Sequence, residues 1–290
     1  MITVQLDWKP NAQFAGLLVA DHGQSFARRG VDVEILGWEP HTDPVEHLAM
    51  PGRIAVSEDN LAIRSAAAGN DVLLLGAMLQ FSPLAWMVRA DSPISGFADF
   101  ARRTIGVHLD GVTALDFALR SAGLTMDDVD VVDVPYDKTA QLLNGDLDVC
   151  QCNGLVEPIE VRAEGGEIRV VWARDVGYSV HSQVLSTSRA TYRASTGEVE
   201  GFLDALWDGW RAAYRDPVGT ASMIVERHLP ESTPEVQYQI LVAQRPWVLG
   251  SDGSGPHLGV IDPDRLQGSI DLLANGGVIA HPLDAASLLR

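Results

Sequence analysis

Hydrophobic positions along the chain switch repeatedly between the two-residue alternation of strands and the roughly 3.6-residue recurrence of helices. Ile2–Asp7 reads as a strand, Lys9-Pro10-Asn11 as a turn, and Phe14–Arg29 as an amphipathic helix carrying Phe14, Leu17, Leu18 and Phe26 on one face. Gly30 ends that helix. Val31–Leu36 and Arg53–Val56 predict the next strands, with Thr42-Asp43-Pro44 placed to cap a short helix through Ala49. Ser57-Glu58-Asp59-Asn60 opens a helix over Leu61–Ala68, and Val72–Met78 is a fourth strand.

A second set of elements follows. Strands are predicted at Leu84–Arg89, Ile105–His108, Val129–Val134, Asp148–Cys152 and Ile168–Ala173, with helices at Gly96–Ala101, Ala114–Ala122, Lys138–Leu143 and Glu157–Ala163. Gln183–Thr187 reads as a returning strand. Helices are then predicted over Thr196–Tyr214, Pro217–Arg227, Pro234–Leu241 and Asp264–Asn275. Alternation of this kind predicts an α/β fold with mostly parallel sheets covered by helices. Two lobes are expected: residues 1–82 with 183–290, and residues 83–182. In such sheets ligands sit beyond the carboxyl ends of strands, which singles out the loops Asp7–Gln13 and Ser57–Asn60.

Composition narrows the function classes. With 46% hydrophobic residues the chain of 290 has ample material for a core. None of its apolar runs approaches the roughly 18–20 residues that span a bilayer, so no direct membrane insertion is expected. Acidic residues number 39 against 21 basic, a formal charge of −18, and the lysines are Lys9 and Lys138 alone. That field repels nucleic acid and anionic lipid, and otherwise reads as a device for solubility. Cys150 and Cys152 are too few for a disulfide framework or a metal site and read as buried thiols, so neither metal nor cofactor is expected. The first residues run straight into a strand with no signal peptide visible. The expectation is extracytoplasmic location if an export signal was trimmed, and cytoplasmic otherwise.

Several segments, taken in order, resemble a known group. Leu6-Asp7-Trp8-Lys9-Pro10-Asn11 followed by Phe14-Ala15-Gly16, then Gly30-Val31-Asp32-Val33, is similar to the opening of one branch of the type II periplasmic-binding-protein superfamily. That branch holds thiamine-pyrimidine-precursor synthase-like proteins and their solute-binding relatives, near the alkanesulfonate- and riboflavin-binding proteins. The likeness continues through Leu84–Arg89 with Asp91-Ser92-Pro93-Ile94, then Thr104–His108, Gly145-Asp146-Leu147-Asp148-Val149 and Glu157-Pro158. It covers roughly residues 2–190. The "D-L-x-G-K" segment of the family is degraded here to Asp99-Phe100-Ala101-Arg102-Arg103. The resemblance implies a two-lobed fold with a ligand cleft between the lobes, and either solute binding or an enzyme on the same scaffold.

Candidate ligand contacts follow from the strand-end loops. Trp8 offers a flat platform for a planar ring, against the alternative of a core indole. Asp7, Asn11 and Gln13 can hydrogen-bond a heteroaromatic edge, although Asn11 after Pro10 also suits turn chemistry. Glu58 and Asp59 favour an amine-bearing or cationic ligand, with Asp59 or Asn60 as the competing helix cap. In the second lobe His108, Asp110 and Gly111 stand where a strand gives way to a helix, a loop whose backbone amides meet ligand in the family. Gln151, Asn153 and Glu157 cluster after the next strand, Glu157 matching the family glutamate or serving the helix dipole. Gln80 and Ser82 occupy the outbound crossing, and Tyr178, His181 and Gln183 the return, where hinge packing is the alternative.

Resemblance to the synthases of this branch would imply pyridoxal phosphate held on a lysine, beside a cysteine-rich stretch. Ser57–Asn60 stands where that lysine would fall, and the cysteine-rich stretch is missing. No G-x-S-x-G, H-E-x-x-H or P-loop is present. The favoured expectation is therefore a monomeric solute-binding protein of an ABC-type importer, taking a neutral or cationic heteroaromatic metabolite such as a thiamine pyrimidine precursor. Sulfonates are disfavoured by the carboxylates, and ABC permease subunits are the expected partner. The alternative is a cytoplasmic enzyme of thiamine-pyrimidine biosynthesis or of lyase or desulfinase type, in which His108, Cys150 and Cys152 would converge.

Overall fold

A computed structural model describes residues 1–38, 43–108, 111–134, 138–250, 255 and 257–290. In chain order its main elements are β1 (Ile2–Gln5), α1 (Ala15–His22), α2 (Ser25–Arg28), β2 (Val33–Leu36), β3 (Arg53–Ser57), α3 (Asp59–Ala67), β4 (Leu73–Leu79) and β5 (Leu84–Arg89). There follow β6 (Thr104–Val107), α4 (Val112–Ser121), β7 (Asp130–Asp133), α5 (Thr139–Asn144), β8 (Val149–Asn153), α6 (Glu157–Ala163), β9 (Ile168–Trp172) and β10 (Ser182–Thr187). The tail is helical: α7 (Arg189–Ala194), α8 (Thr196–Arg215), α9 (Pro217–Arg227), α10 (Pro234–Leu249) and α11 (Pro263–Asn275). The chain divides into two units, Met1–Phe81 with Val180–Arg290, and Ser82–Ser179.

Unit 1 is built on a sheet of order β2-β1-β3-β10-β4. β1 pairs in parallel with β2 and β3, whereas β10 runs antiparallel to both β3 and β4. Four strands therefore share one direction and the returning strand opposes them. One face packs Ala55, Ala77 and Val184 against Ala62 and Ile63 of α3 and Leu266, Ile270 and Leu273 of α11. Elsewhere α1 and α8 meet through glycines: a Cβ on Gly209 would lie 2.0 Å from the Gly16 carbonyl, and one on Gly16 would lie 2.3 Å from the Trp210 ring. The open edge of β4 is covered by the C-terminus, with the Leu74 N–H donating to the Leu288 carbonyl at 2.8 Å. Covering of this kind removes a template for edge-to-edge association.

Unit 2 repeats the plan with order β7-β6-β8-β5-β9. β6 pairs in parallel with β7 and β8, and β5 runs antiparallel to β8 and β9. Its core joins Ala85, Met87, Cys150, Cys152 and Ile168 of the sheet to Leu142 and Val161 of α5 and α6. Trp86 on the other face stands edge-on to Phe97, with ring centroids 5.2 Å apart. Both sheets are thus mixed, each with one reversed strand among four aligned ones.

Some local expectations are corrected. The helix expected over Phe14–Arg29 is broken at Gly23-Gln24, where Gln24 has φ of +54°. Turns occupy residues 44–49 where a short helix was expected, and Thr42 lies outside the described residues. α10 continues past Leu241 through Pro246 to Leu249, and α7 was missed although Ser188 caps it by accepting from the Thr191 N–H.

Candidate functional site

In unit 1 the parallel strands β1, β2 and β3 deliver their carboxyl ends to one edge of the sheet, which is where α/β folds place ligand-facing loops. Trp8 follows β1 and Trp38 follows β2. Their rings lie 5.4 Å apart between centroids at an interplanar angle of 33°, and both are half-buried. Parallel pairing of the two strands brings the indoles together, since residues after matched strand ends become neighbours. Trp38 was overlooked in the sequence, although it follows a strand end just as Trp8 does. Asp7 and Glu58 are half-buried at the same set of strand ends. Asn11 takes the turn role: its side chain accepts from the Gln13 N–H at 2.9 Å, and Gln13 is itself buried.

Asp59 is fully buried within unit 1. Neither Asp59 nor Asn60 caps α3. The cap position belongs to Glu58, which makes no side-chain cap bond. Asp59 Oδ2 instead accepts from the His181 N–H at 3.0 Å and from Ser269 Oγ at 2.9 Å, and lies 3.6 Å from His181 Nδ1. The Asp262 N–H donates to His181 Nε2 at 3.2 Å, so this histidine ties α11 to β10. Gln80 is placed elsewhere: its amide donates to the carbonyls of His257 and Val260 at 2.8 and 3.0 Å, and its own carbonyl accepts from Arg265.

Unit 2 collects charged groups at the corresponding strand ends. Lys138, at the start of α5, is buried, and its Nζ lies 2.7 Å from His108 Nε2 and 3.6 Å from Glu157 Oε1. An ammonium offers only donors, so Nε2 of His108 accepts and Nδ1 carries the ring proton. Glu157 Oε2 accepts from the Asn153 N–H at 2.9 Å, and Asn153 Oδ1 accepts from the Leu155 N–H at 3.0 Å in a turn. Gln151 Oε1 accepts from the His108 N–H at 3.0 Å. Gly111 makes room for that glutamine, since an added Cβ would lie 2.0 Å from Gln151 Oε1. Its N–H donates to the His108 carbonyl at 2.9 Å, closing a turn at the strand end. Asp110 lies outside the described residues. Ser82 caps the Leu84 N–H at 3.2 Å, and Tyr178 packs on Phe117 with centroids 5.9 Å apart.

Of the expected residues, unit 2 therefore brings together His108, Gly111, Asn153 and Glu157, and unit 1 joins Asp59 to His181. Lys138 is the member that was not among the expected contacts, having been read only as the first residue of a helix. Both cysteines are free and buried in the hydrophobic core of unit 2. Burial pushes the Cys150 thiol up to about 12, against a smaller opposing pull from Lys138, and raises Cys152 well above its ordinary value. Such thiols are poor nucleophiles at neutral pH. Among the described residues no group of three or more His, Cys, Asp or Glu is placed to hold a metal ion.

The chain as a whole is similar to known proteins. A family model described as NMT1/THI5 like matches residues 11–220. The riboflavin-binding protein RibY of Chloroflexus aurantiacus is 22% identical over 293 residues, covering 98% of this chain and 83% of that protein. A formylaminopyrimidine-binding protein of Halalkalibacterium halodurans is 27% identical over 222 residues, covering 74% of this chain and 64% of that protein. Among solved structures, the periplasmic aliphatic sulphonate binding protein SsuA of Escherichia coli has a TM-score of 0.77 at 16% identity, covering 100% of this chain and 91% of that one. At that identity the likeness establishes the fold.

Proposed function

The chain belongs to the NMT1/THI5-like family, and from that premise we propose that it is the solute-binding protein of an ABC-type importer, taking one small heteroaromatic metabolite. The observation that carries this reading is the Trp8–Trp38 pair, two half-buried indoles side by side at the ends of parallel strands. Aromatic faces of this kind add about 0.5–1.5 kcal/mol per ring contact beyond the area they bury. The names of the two sequence relatives, riboflavin-binding and formylaminopyrimidine-binding, support a ring-shaped ligand. Asp7 and Glu58, half-buried at the same strand ends as the indoles, supply polar groups that fix ligand orientation. The partner that receives the solute is a membrane permease, and the proposed location is extracytoplasmic. No described helix is long and apolar enough to cross a membrane.

Native mass spectrometry of protein purified without denaturation tests the assignment. The expected result is one bound small molecule per chain, aromatic by its ultraviolet spectrum and released unchanged on unfolding. Steady conversion of that molecule into a product by the purified chain would instead establish an enzyme.

A further inference from the structure

The sheet edges of this chain are finished in different ways. The edge of β4 is covered by the C-terminus, where the Leu288 carbonyl accepts from the Leu74 N–H at 2.8 Å. β2 and β7 end their sheets with carboxylates on the strand, Glu34 on the first and Asp130 and Asp133 on the second. Charges so placed discourage pairing with another strand. β9 also ends a sheet, but its charged side chain is Arg169. β5 is its neighbour there, and among the described residues no other segment hydrogen-bonds to the backbone of Ile168–Val171.

A hollow of about 450 Å³ follows this edge, and all five residues of β9 line it. One flank holds Gly154 and Arg162, on the face where Ile168, Val170 and Trp172 pack toward α6. Trp172 lies close over Gly154, since a Cβ there would sit 2.5 Å from the indole ring. The other flank holds Val88, Ile94 and Ser95, beside Arg169, whose guanidinium donates to the Ser92 carbonyl. A hollow lined from both faces of one strand is a trough around its edge. At about 3.3 Å per residue it is roughly 16 Å long, the length of a short strand.

Each flank carries a guanidinium. Arg162 and Arg169 are exposed and have no ion pair among the described residues, whereas Arg89, Arg103, Arg120 and Arg174 of the same unit pair with Asp91, Asp148, Asp116 and Asp175. Among the described residues no carboxylate lines the trough, in a chain with 39 acidic residues.

We propose that the free edge of β9 receives an extended, acidic segment of a partner protein as an added strand. The outward N–H and C=O groups of β9 supply the ladder, and the apolar walls take alternate side chains. Arg162 and Arg169 stand on opposite faces, so the segment they select carries carboxylates facing both ways. The surface lies within unit 2 and is independent of the solute-binding reading.

The test titrates the full chain with a fluorescent hexapeptide of threonine and valine that has glutamates at its second and fifth positions, which face opposite ways in a strand. Fluorescence polarisation should show binding, weaker by about five- to twentyfold when both glutamates are glutamine. Arg162→Gln and Arg169→Gln should each weaken it about two- to fivefold without lowering the melting temperature. Two further peptides carry N-methyl groups on alternate residues, one in each register. An added strand pairs along one of its edges, so one register should lose more than about tenfold and the other should bind nearly as the parent peptide does. Equal binding in both registers, or a glutamine peptide as tight as the acidic one, overturns the proposal. So does glutarate binding with no peptide binding, which would make the trough a small-anion pocket. Self-association of the chain that Arg169→Gln abolishes would seat a second copy there and overturn it as well.

Discussion

The two units share one sheet plan and treat their polar strand-end groups in opposite ways. In unit 2 the charged atoms are paired: Lys138 with His108 and Glu157, Glu157 with the Asn153 amide, Gln151 with the His108 amide. In unit 1 the corresponding region carries half-buried indoles and several buried polar atoms with no partner among the described residues. Paired groups hold a scaffold together. Unpaired ones cost stability in the empty protein and repay it only when something binds, which is how a site and a support differ physically.

Lys138→Met is the most severe way to probe that contrast. It leaves the Glu157 carboxylate and the His108 ring without their cation in a buried setting, and should cost about 3 kcal/mol in urea unfolding. Adding Glu157→Gln should restore a large part of the loss. If Lys138→Met is neutral, the unit 2 cluster is not a support and the contrast collapses. Asp59→Ala comes next: it strips acceptors from the His181 N–H and Ser269 Oγ and should cost about 2 kcal/mol. Asn60→Leu, one residue away, should have the opposite sign. Asn11→Ala removes a turn bond and should cost about 1 kcal/mol.

A further effect concerns pH and is silent near neutrality. The Cys150 thiol is raised in the folded chain from 9.0 to about 12 by burial. A group whose folded pKa is raised adds stability that is complete below the unfolded value and is lost as pH climbs through the folded one. Stability should therefore decline on the alkaline side from about pH 9 upward, and Cys150→Ala should flatten that decline. Native protein at pH 8 should react with thiol reagents only as fast as it unfolds.

Much of the fold was legible because hydrophobic period and turn residues are local signals. β5 and α6 fall where the pattern put them, whereas the break at Gly23-Gln24 and the run of α10 through Pro246 depend on tertiary packing that overrides local preference. Strand direction was harder, since nothing in Leu84–Arg89 or Gln183–Thr187 announces reversal; it follows from where the chain crosses. The site was legible only where a residue acts beside its own strand end. Trp8 qualified, and Trp38 did too, had the same rule been applied after Leu36. Asp59 was named as well, but its hydrogen-bond partners were not, because His181 and Ser269 lie 122 and 210 residues away. Lys138 looked like an ordinary helix-start lysine until folding buried it against His108, 30 residues upstream.

Ring stacking on Trp8 and Trp38 is the claim from which the rest extends. Its most direct measurement is calorimetric titration of riboflavin and of an aminopyrimidine into the parent, Trp8→Ala, Trp38→Ala and the double variant. The account predicts that at least one probe binds the parent, that each single variant weakens it severalfold and that the double variant weakens it by more than about tenfold. Full affinity in a folded double variant would contradict it.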